Sequence, residues 1–472
     1  MIPITEYSGR DVAVFGLGRT GLSAAKALAA GGARVHAWDD NEQTRALAEA
    51  EGIALSDINK RDWQTFAALV LSPGVPYKFP TPHRIVRMAE MTGVPVVGDM
   101  ELFARAVQAL PERGRPKVVG ITGTNGKSTT TALIGHILKE AGRDARVGGN
   151  IGKGVLDMAP LHANSIYVLE LSSYQLDLVK SLHCDVGVFL NFSPDHLDRH
   201  GGLQGYLAAK KRLFDNQTAA DYAIIGVDDL QTQALSMRLS SKGDRRVIQI
   251  SSDYALGRGI SAIDGRLYDS LLGKAVFAGD LRSATALPGR HNHQNAAAAF
   301  AACRVLGVDP RIIMNAILSF PGLPHRMELA GTLDGVKFIN DSKATNAQAA
   351  EQALRAFPRV YWIAGGKPKS DGIGDLAPLF PKVAKAYLIG DAQDEFAKTL
   401  KGRAPVAKCG TLENAIHEAL RDASTSDEPD PIILLSPACA SFDQYRDFEA
   451  RGDAFKEIVA GLTGESTLME RA

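Results

Sequence analysis

Several things are scarce in this chain of 472 residues. Its 4 cysteines (Cys184, Cys303, Cys409 and Cys439) lie far apart with no Cys-x-x-Cys. That argues against a disulfide framework or a cysteine zinc site, and for a reducing compartment. Net charge is missing too: 53 basic residues balance 53 acidic ones, so nothing suggests a general nucleic-acid or anionic-membrane binder. No apolar run reaches membrane-spanning length. The start, "MIPITEYSGRD", has no basic stretch followed by an apolar core, so no signal peptide is visible and a cytoplasmic protein is expected.

What is present is an ordinary globular composition, 45% hydrophobic and 22% charged, long enough for two or three domains. In the first hundred residues, strand-like "DVAVFG", "ARVHAWDD", "ALVLSPGV" and "VPVVGD" alternate with helix-like "GLSAAKALAAGG" and "NEQTRALAEAEG". This alternation predicts a parallel sheet. "LPERGRPK", 110–117, reads as a linker. A second unit follows, with buried strands "KVVGIT", "SIYVLELSS" and "DVGVFLNFS" and helices "TTALIGHILKEAG" and "GYLAAKKRLFDN". Residues 246–288 suggest a small β excursion. Pro and Gly in "FPGLPHRME", 320–328, mark another boundary before a third alternating region. The expected architecture is α/β in three domains, at 1–110, 111–322 and 323–472.

Two glycine loops stand out. "VAVFGLGRTGLSAA" has the order strand, G-x-G-x-x-G, helix. Gly16, Gly18 and Gly21 permit a tight turn and close approach of a diphosphate to a helix N-terminus. Asp39 and Asp40 end the next strand, where a ribose hydroxyl is often held. The motif fits a nicotinamide cofactor, any other diphosphate nucleotide, or a ligand-free βα turn. "GITGTNGKSTT", 120–130, resembles a phosphate loop, but the Gly expected six positions before the Lys is Ile121. Gly123 and Gly126 free the backbone to point N–H groups inward. Lys127 can reach β and γ phosphates, and Ser128 can ligate Mg²⁺. Glu170 ends a buried strand, where an acid is costly unless paired with a cation. Asn191 and His196 follow the end of another. Together these favour a metal–phosphate site. Lys210 and Lys211, read alone, are a solvated helix face.

Beyond these motifs the chain resembles the Mur ligases of peptidoglycan synthesis. "TGTNGKSTT" matches their phosphate loop, off-register spacing included, and "ELSSYQL", "NFSPDHLDRH", "GRHNHQN", "LPHRME" and "NDSKATN" follow in family order. The resemblance covers essentially the whole chain. It implies an N-terminal Rossmann-like UDP-binding domain, a central P-loop-type ATPase with a parallel sheet, and a C-terminal Rossmann-like domain. "NDSKATN" and "SPACASFDQYRDFEARGDAF" resemble the branch that adds D-glutamate, so the implied substrates are UDP-N-acetylmuramoyl-L-alanine, D-glutamate and ATP. Two Mg²⁺ ions are implied, with a monomer acting on no nucleic acid and inserting in no membrane.

Carried over residue by residue, the resemblance gives Gly123, Thr124, Asn125, Gly126, Lys127, Ser128 and Thr129 to the ATP phosphates. Asn292, Asn295, Arg326 and Asp341 match further ATP contacts. Ser128, Glu170, His196 and Lys210, the last as a carbamate, would hold metal. Lys127, His196 and Lys210 would be catalytic. Gly18, Arg19, Thr20, Asp39, Asp40, Ser72, Gly74 and Asn150 would grip the UDP substrate, although Arg19 stands where the family often has an apolar residue. Lys343, Thr345, Lys369, Ser370, Ser441 and Phe448 match the D-glutamate pocket. Two rivals use less of the sequence. A nicotinamide dehydrogenase leaves the phosphate loop, Glu170 and His196 idle. A P-loop switch protein leaves "NDSKATN" and "SPACASFDQ" unexplained.

Overall fold

The computed structural model describes residues 1–368 and 372–464. The chain folds as two compact units: Met1–Leu281 with His293–Ser319, and Arg282–Asn292 with the chain from Phe320 onward.

The first unit carries two sheets. In the smaller, β1 (Asp11–Phe15), β2 (Arg34–Trp38), β3 (Phe66–Leu71) and β4 (Val96–Val97) lie in the order β2-β1-β3-β4. All pairs are parallel, as alternation of strand and helix requires. The larger sheet has nine strands, β5 (Lys117–Thr122), β6 (Asp144–Gly149), β7 (Ser165–Glu170), β8 (Val186–Phe189), β9 (Tyr222–Gly226), β10 (Arg246–Ser251), β11 (Ile260–Ile263), β12 (Arg266–Asp269) and β13 (Val276–Asp280). Their order is β13-β12-β11-β10-β9-β8-β5-β7-β6. β5 is central, flanked by β7 and β8 in parallel. β7 is buried along its length, and the near-continuous apolar runs of β5, β7 and β8 fit a sheet covered on both faces.

The β excursion expected at 246–288 is not separate from the main sheet. β10 pairs in parallel with β9 and β11 with β10, and only β12 and β13 turn antiparallel. The same sheet is thus extended toward a free edge.

In the second unit, β14 (Glu328–Leu333), β15 (Val336–Asn340), β16 (Val360–Gly365), β17 (Val383–Ile389), β18 (Val406–Gly410) and β19 (Ile432–Leu435) order as β14-β15-β19-β16-β17-β18. All pairs are parallel except the β14–β15 hairpin at one edge. Helices bury apolar faces on both sides, forming two cores, one around Trp362 and Phe396, the other around Phe338, Ile416 and Phe455.

Candidate functional site

In the first unit, segments following β1, β3, β5, β6, β7 and β8 surround a cleft of about 320 Å³, where open α/β sheets bind ligands. Its lining includes Arg19, Thr20, Ser72 and Gly74 from one sheet's loops, and Lys127, Asn150, His196 and Lys210 from the other's.

The first glycine loop is locked by packing. A Cβ on Gly21 would sit 1.8 Å from the Gly16 carbonyl oxygen, and one on Gly16 (φ +87°) 2.7 Å from Ser72 Cβ. Gly18 differs: its φ is −64° and a Cβ there would meet nothing within 4 Å. The fold does not require a glycine at that position. Asp39 accepts from the Leu17 amide at 2.7 Å and the Asn41 amide at 2.9 Å. Asp40 is paired with Arg84 at 2.8 Å and His83 at 3.2 Å. Neither aspartate belongs to the cleft lining.

The second glycine loop runs from β5 into the helix Lys127–Glu140. Gly123 (φ +151°) and Gly126 (φ +81°) occupy conformations that disfavour side chains. A Cβ on Gly126 would also fall 2.2 Å from Asn295 Oδ1. Asn191 supports the loop, its carbonyl accepting from Thr124 N–H at 3.0 Å and its Oδ1 from Asn125 N–H at 2.9 Å. Lys127 Nζ donates to the Gly123 and Thr124 carbonyls at 3.0 and 2.7 Å. Ser128 is buried in the helix's first turn, and Thr129 is half-buried beside it.

Glu170 ends β7, buried, with Oε1 accepting from Asn150 Nδ2 at 2.7 Å. Its other oxygen is also buried and has no hydrogen-bond partner among the described residues, an arrangement that costs free energy unless something compensates it. His196 lies in a left-handed conformation (φ +50°), near Tyr174 and 3.4 Å from Asp195. Burial lowers its pKa against the pull of Asp195, which favours the neutral imidazole that ligates metals.

Lys210 overturns the solvated-face reading. It is 1% exposed, whereas Lys211 is half-buried and outside the cleft lining. Lys210 Nζ donates to the Gly123 carbonyl at 2.7 Å and lies over the Tyr206 ring. Burial, and then the neighbouring Lys127 ammonium, push its amine well below the usual lysine range.

The sequence reading missed much of the remaining wall: Ser172, Ser173, Tyr174, Gln175, Asp195 and Tyr206. One signal was available. "SSYQ" is a capping box, with Ser172 accepting from the Gln175 amide and Gln175 reaching back. Beneath it, His200 sits 2.9 Å from both Ser173 Oγ and Asp177 Oδ2. His200 is buried while Asp177 is half-buried, so the imidazole supports the cleft wall from within. From the other side, Gln175 donates to the fully buried Asp99 at 3.4 Å. Burial raises the Asp99 carboxyl to about 6.

Asn295 belongs to the first unit. Asn292, on the same helix, falls in the second and donates to the Pro288 carbonyl at 2.8 Å. In the second unit, Asp341 is buried and accepts from Ser436 at 2.9 Å. Burial raises it to about 7, while Arg326 acts in the opposite sense. Lys343 Nζ lies 3.6 Å over the Phe448 ring, Thr345 is half-buried, and Ser441 is buried. Arg451, 1% exposed, ties these loops together. It donates to Ser342 Oγ at 3.0 Å, to the Ser342 carbonyl at 2.9 Å and to the Cys439 carbonyl at 3.2 Å. Lys369 and Ser370 lie outside the described residues.

Residues 121–303 match the Mur ligase middle domain, 325–439 the Mur ligase glutamate ligase domain, and 10–98 the Mur ligase MurD-like N-terminal domain. The chain belongs to the Mur ligase family. A relative from Caulobacter sp. (strain K31), UDP-N-acetylmuramoylalanine--D-glutamate ligase, is 56% identical over 98% of both chains. The protein of that name from Phenylobacterium zucineum is 54% identical over the same shares. Among solved structures, UDP-N-acetylmuramate-alanine ligase MurC from Thermotoga maritima has a TM-score of 0.58 at 18% identity, covering 96% of this chain and 99% of its own. MurF ligase from Thermotoga maritima, solved with ADP, has a TM-score of 0.54 at 17% identity, with 85% and 90% covered. The three-domain Mur ligase layout expected from the sequence is therefore the fold of this chain.

Proposed function

We propose that this Mur ligase joins D-glutamate to UDP-N-acetylmuramoyl-L-alanine, converting ATP to ADP and phosphate, in peptidoglycan precursor synthesis. The observation that carries the reading is full-length identity of 54–56% to ligases of that name. The cleft supports it, with a diphosphate-type loop and a phosphate loop facing each other.

A carboxylate does not acylate an amine in neutral water. In the proposed sequence the L-alanine carboxylate attacks the γ-phosphate of ATP, giving an acyl phosphate and ADP. The D-glutamate amine then attacks the acyl carbon, and phosphate leaves as the amide forms. Lys127, with the loop amides of 123–129, would hold the ATP phosphates, and its charge would offset that developing on the phosphoryl oxygens. Asn292, Asn295, Arg326 and Asp341 are further proposed ATP contacts. Arg19, Thr20, Ser72, Gly74 and Asn150, with Gly18, Asp39 and Asp40, would hold the nucleotide sugar. Gly18 is suggestive, since a side chain there is excluded by no protein atom and would crowd only a ligand. Lys343, Thr345, Ser441 and Phe448, with Lys369 and Ser370, would take D-glutamate, whose two carboxylates suit ammonium and hydroxyl donors.

Divalent metal fits the donor set. Glu170 keeps an unpartnered buried oxygen, Ser128 lies in the first turn of the helix after β5, and a neutral-favouring His196 follows β8. No group of three or more His, Cys, Asp or Glu among the described residues could hold an ion by itself, so further oxygens are needed. We assign these to the ATP phosphates and to a carbamate on Lys210, whose amine is driven toward the neutral form that reacts with CO₂. Ser128, Glu170, His196 and carbamylated Lys210 would hold two Mg²⁺, which would neutralise charge on the transferred phosphoryl group. The proposed domains are 1–110, 111–322 and 323–472. No described helix is long and apolar enough to cross a membrane; we place the chain in the cytoplasm as a monomer.

Phosphate release from ATP tests the reading. It should require both UDP-N-acetylmuramoyl-L-alanine and D-glutamate. Release with L-lysine in place of D-glutamate would overturn the amino-acid assignment, and release with neither substrate would overturn the ligase.

A further inference from the structure

Arg19 reaches well beyond its own loop. It opens the helix Arg19–Ala30 after the first glycine loop, but its guanidinium does not turn back onto that loop. Nη1 donates to the Gly152 carbonyl at 3.0 Å and Nη2 to the Asn150 carbonyl at 3.4 Å, more than 130 residues away. Asn150 in turn grips Glu170 twice, through Nδ2 to Oε1 at 2.7 Å and through its backbone N–H to the Glu170 carbonyl at 2.9 Å. A second arginine crosses in the opposite sense. Arg199, lying over Tyr174, donates to the Gly74 carbonyl at 3.2 Å and the Pro73 carbonyl at 3.4 Å. Each wall of the cleft thus sends an arginine to backbone carbonyls of the other. Neither arginine has a carboxylate within ion-pair distance among the described residues, and the acceptors are neutral, so the charge of Arg19, which lines the cleft, remains available to anions there.

We propose that Arg19 is a positioning residue that couples the nucleotide-sugar loop to the metal–phosphate loop. A diphosphate held at the first glycine loop fixes Arg19. Arg19 fixes the 150–152 turn, and that turn holds Glu170. Within the turn the Gly149 N–H donates to the Lys153 carbonyl at 2.9 Å, and Gly149 and Gly152 adopt positive φ. Whichever ligand binds first orders it, so the second binds more tightly, and the coupling is reciprocal. The proposal rests on the substrate reading above.

Calorimetric titration of Mg·ADP into the full chain, with and without saturating UDP-N-acetylmuramoyl-L-alanine, tests it. The nucleotide sugar should tighten Mg·ADP binding about tenfold, within the usual range for coupled sites. Arg19→Leu should reduce that factor to under about twofold, measured at nucleotide-sugar concentrations shown by direct titration to saturate each variant. Arg19→Lys keeps the charge but not the fork and should fall between. If Arg19→Leu misfolds, it will bind Mg·ADP poorly even alone, and Arg19→Lys then decides. Coupling that survives both substitutions, or binding without coupling in the unaltered protein, overturns the proposal. Failure of the nucleotide sugar to bind the unaltered protein at all overturns the substrate reading and the coupling with it.

Discussion

The two glycine loops of the first unit have the same plan, a buried strand, a glycine turn and a helix, yet they are built for different work. The first is closed by its own backbone, with Gly16 and Gly21 forced by contacts within the turn and against Ser72, and the side chain it presents, Arg19, reaches outward. The second is held by its surroundings, with Gly126 walled by Asn295 and Thr124 and Asn125 hung on Asn191. Two lysines converge on its Gly123 carbonyl. A rigid loop with one outward cation suits a handle. A loop where cations converge beside an under-satisfied carboxylate suits charge transfer. A glycine fingerprint alone therefore does not report chemistry; what converges on it does.

That contrast can be broken experimentally. The largest effect should come from the lysines of the second loop. Lys127→Ala and Lys210→Ala should each lower the rate of phosphate release by on the order of 10²–10³-fold or more, with folding retained. Acetate should partly restore Lys210→Ala by supplying oxygens, and restoration of Lys127→Ala instead would invert the assigned roles. Next comes Asp99, buried behind the cleft wall. Its folded carboxyl titrates at about 6 rather than 3.8, so the folded state binds the proton more tightly. The stability from that protonation is complete below about pH 4 and lost as pH rises through about 6, a change on the order of 3 kcal/mol. Denaturant unfolding of Asp99→Asn at pH 4 and 7 should lose this part of the pH dependence; a parallel pair of curves would refute the burial argument. Gly126→Ala should raise the KM for ATP by roughly 5- to 100-fold, the equivalent of about 1–3 kcal/mol of backbone strain, leaving the KM for the nucleotide sugar little changed. An equal rise in both would show that the loops are not separable. Smallest of all, Lys211→Ala should stay within about twofold of the parent rate, as surface substitutions usually do; an inactive Lys211→Ala would move the assigned lysine by one position.

How far the sequence carried depended on distance along the chain. The parallel sheets, both glycine loops and Glu170 at a strand end were legible, because strand, turn and helix signals are local. Lys210 was not legible from periodicity. Its helix, Leu203–Lys211, is short, and only the placement of Tyr206 and Ala209 against the core shows which face is buried. Only the family pattern pointed there. Tyr174 and Gln175 escaped because their position depends on packing of the Ser172 turn against Asp99 and His200, contacts that no local pattern encodes. The β excursion was legible as short strands, but the sequence left open that they extend the main sheet, because that pairing joins β10 to β9 and β11 to β10 across intervening loops.

Gly18 has one more consequence. Of the three motif glycines it alone is unconstrained by the protein, in φ and in space. An added methyl there is a bump that the fold ignores and that, on the proposed reading of this loop, a bound diphosphate would feel. Gly18→Ala would therefore create an enzyme blind to its natural nucleotide sugar yet open to a ligand trimmed to fit, a lock re-cut at a single notch.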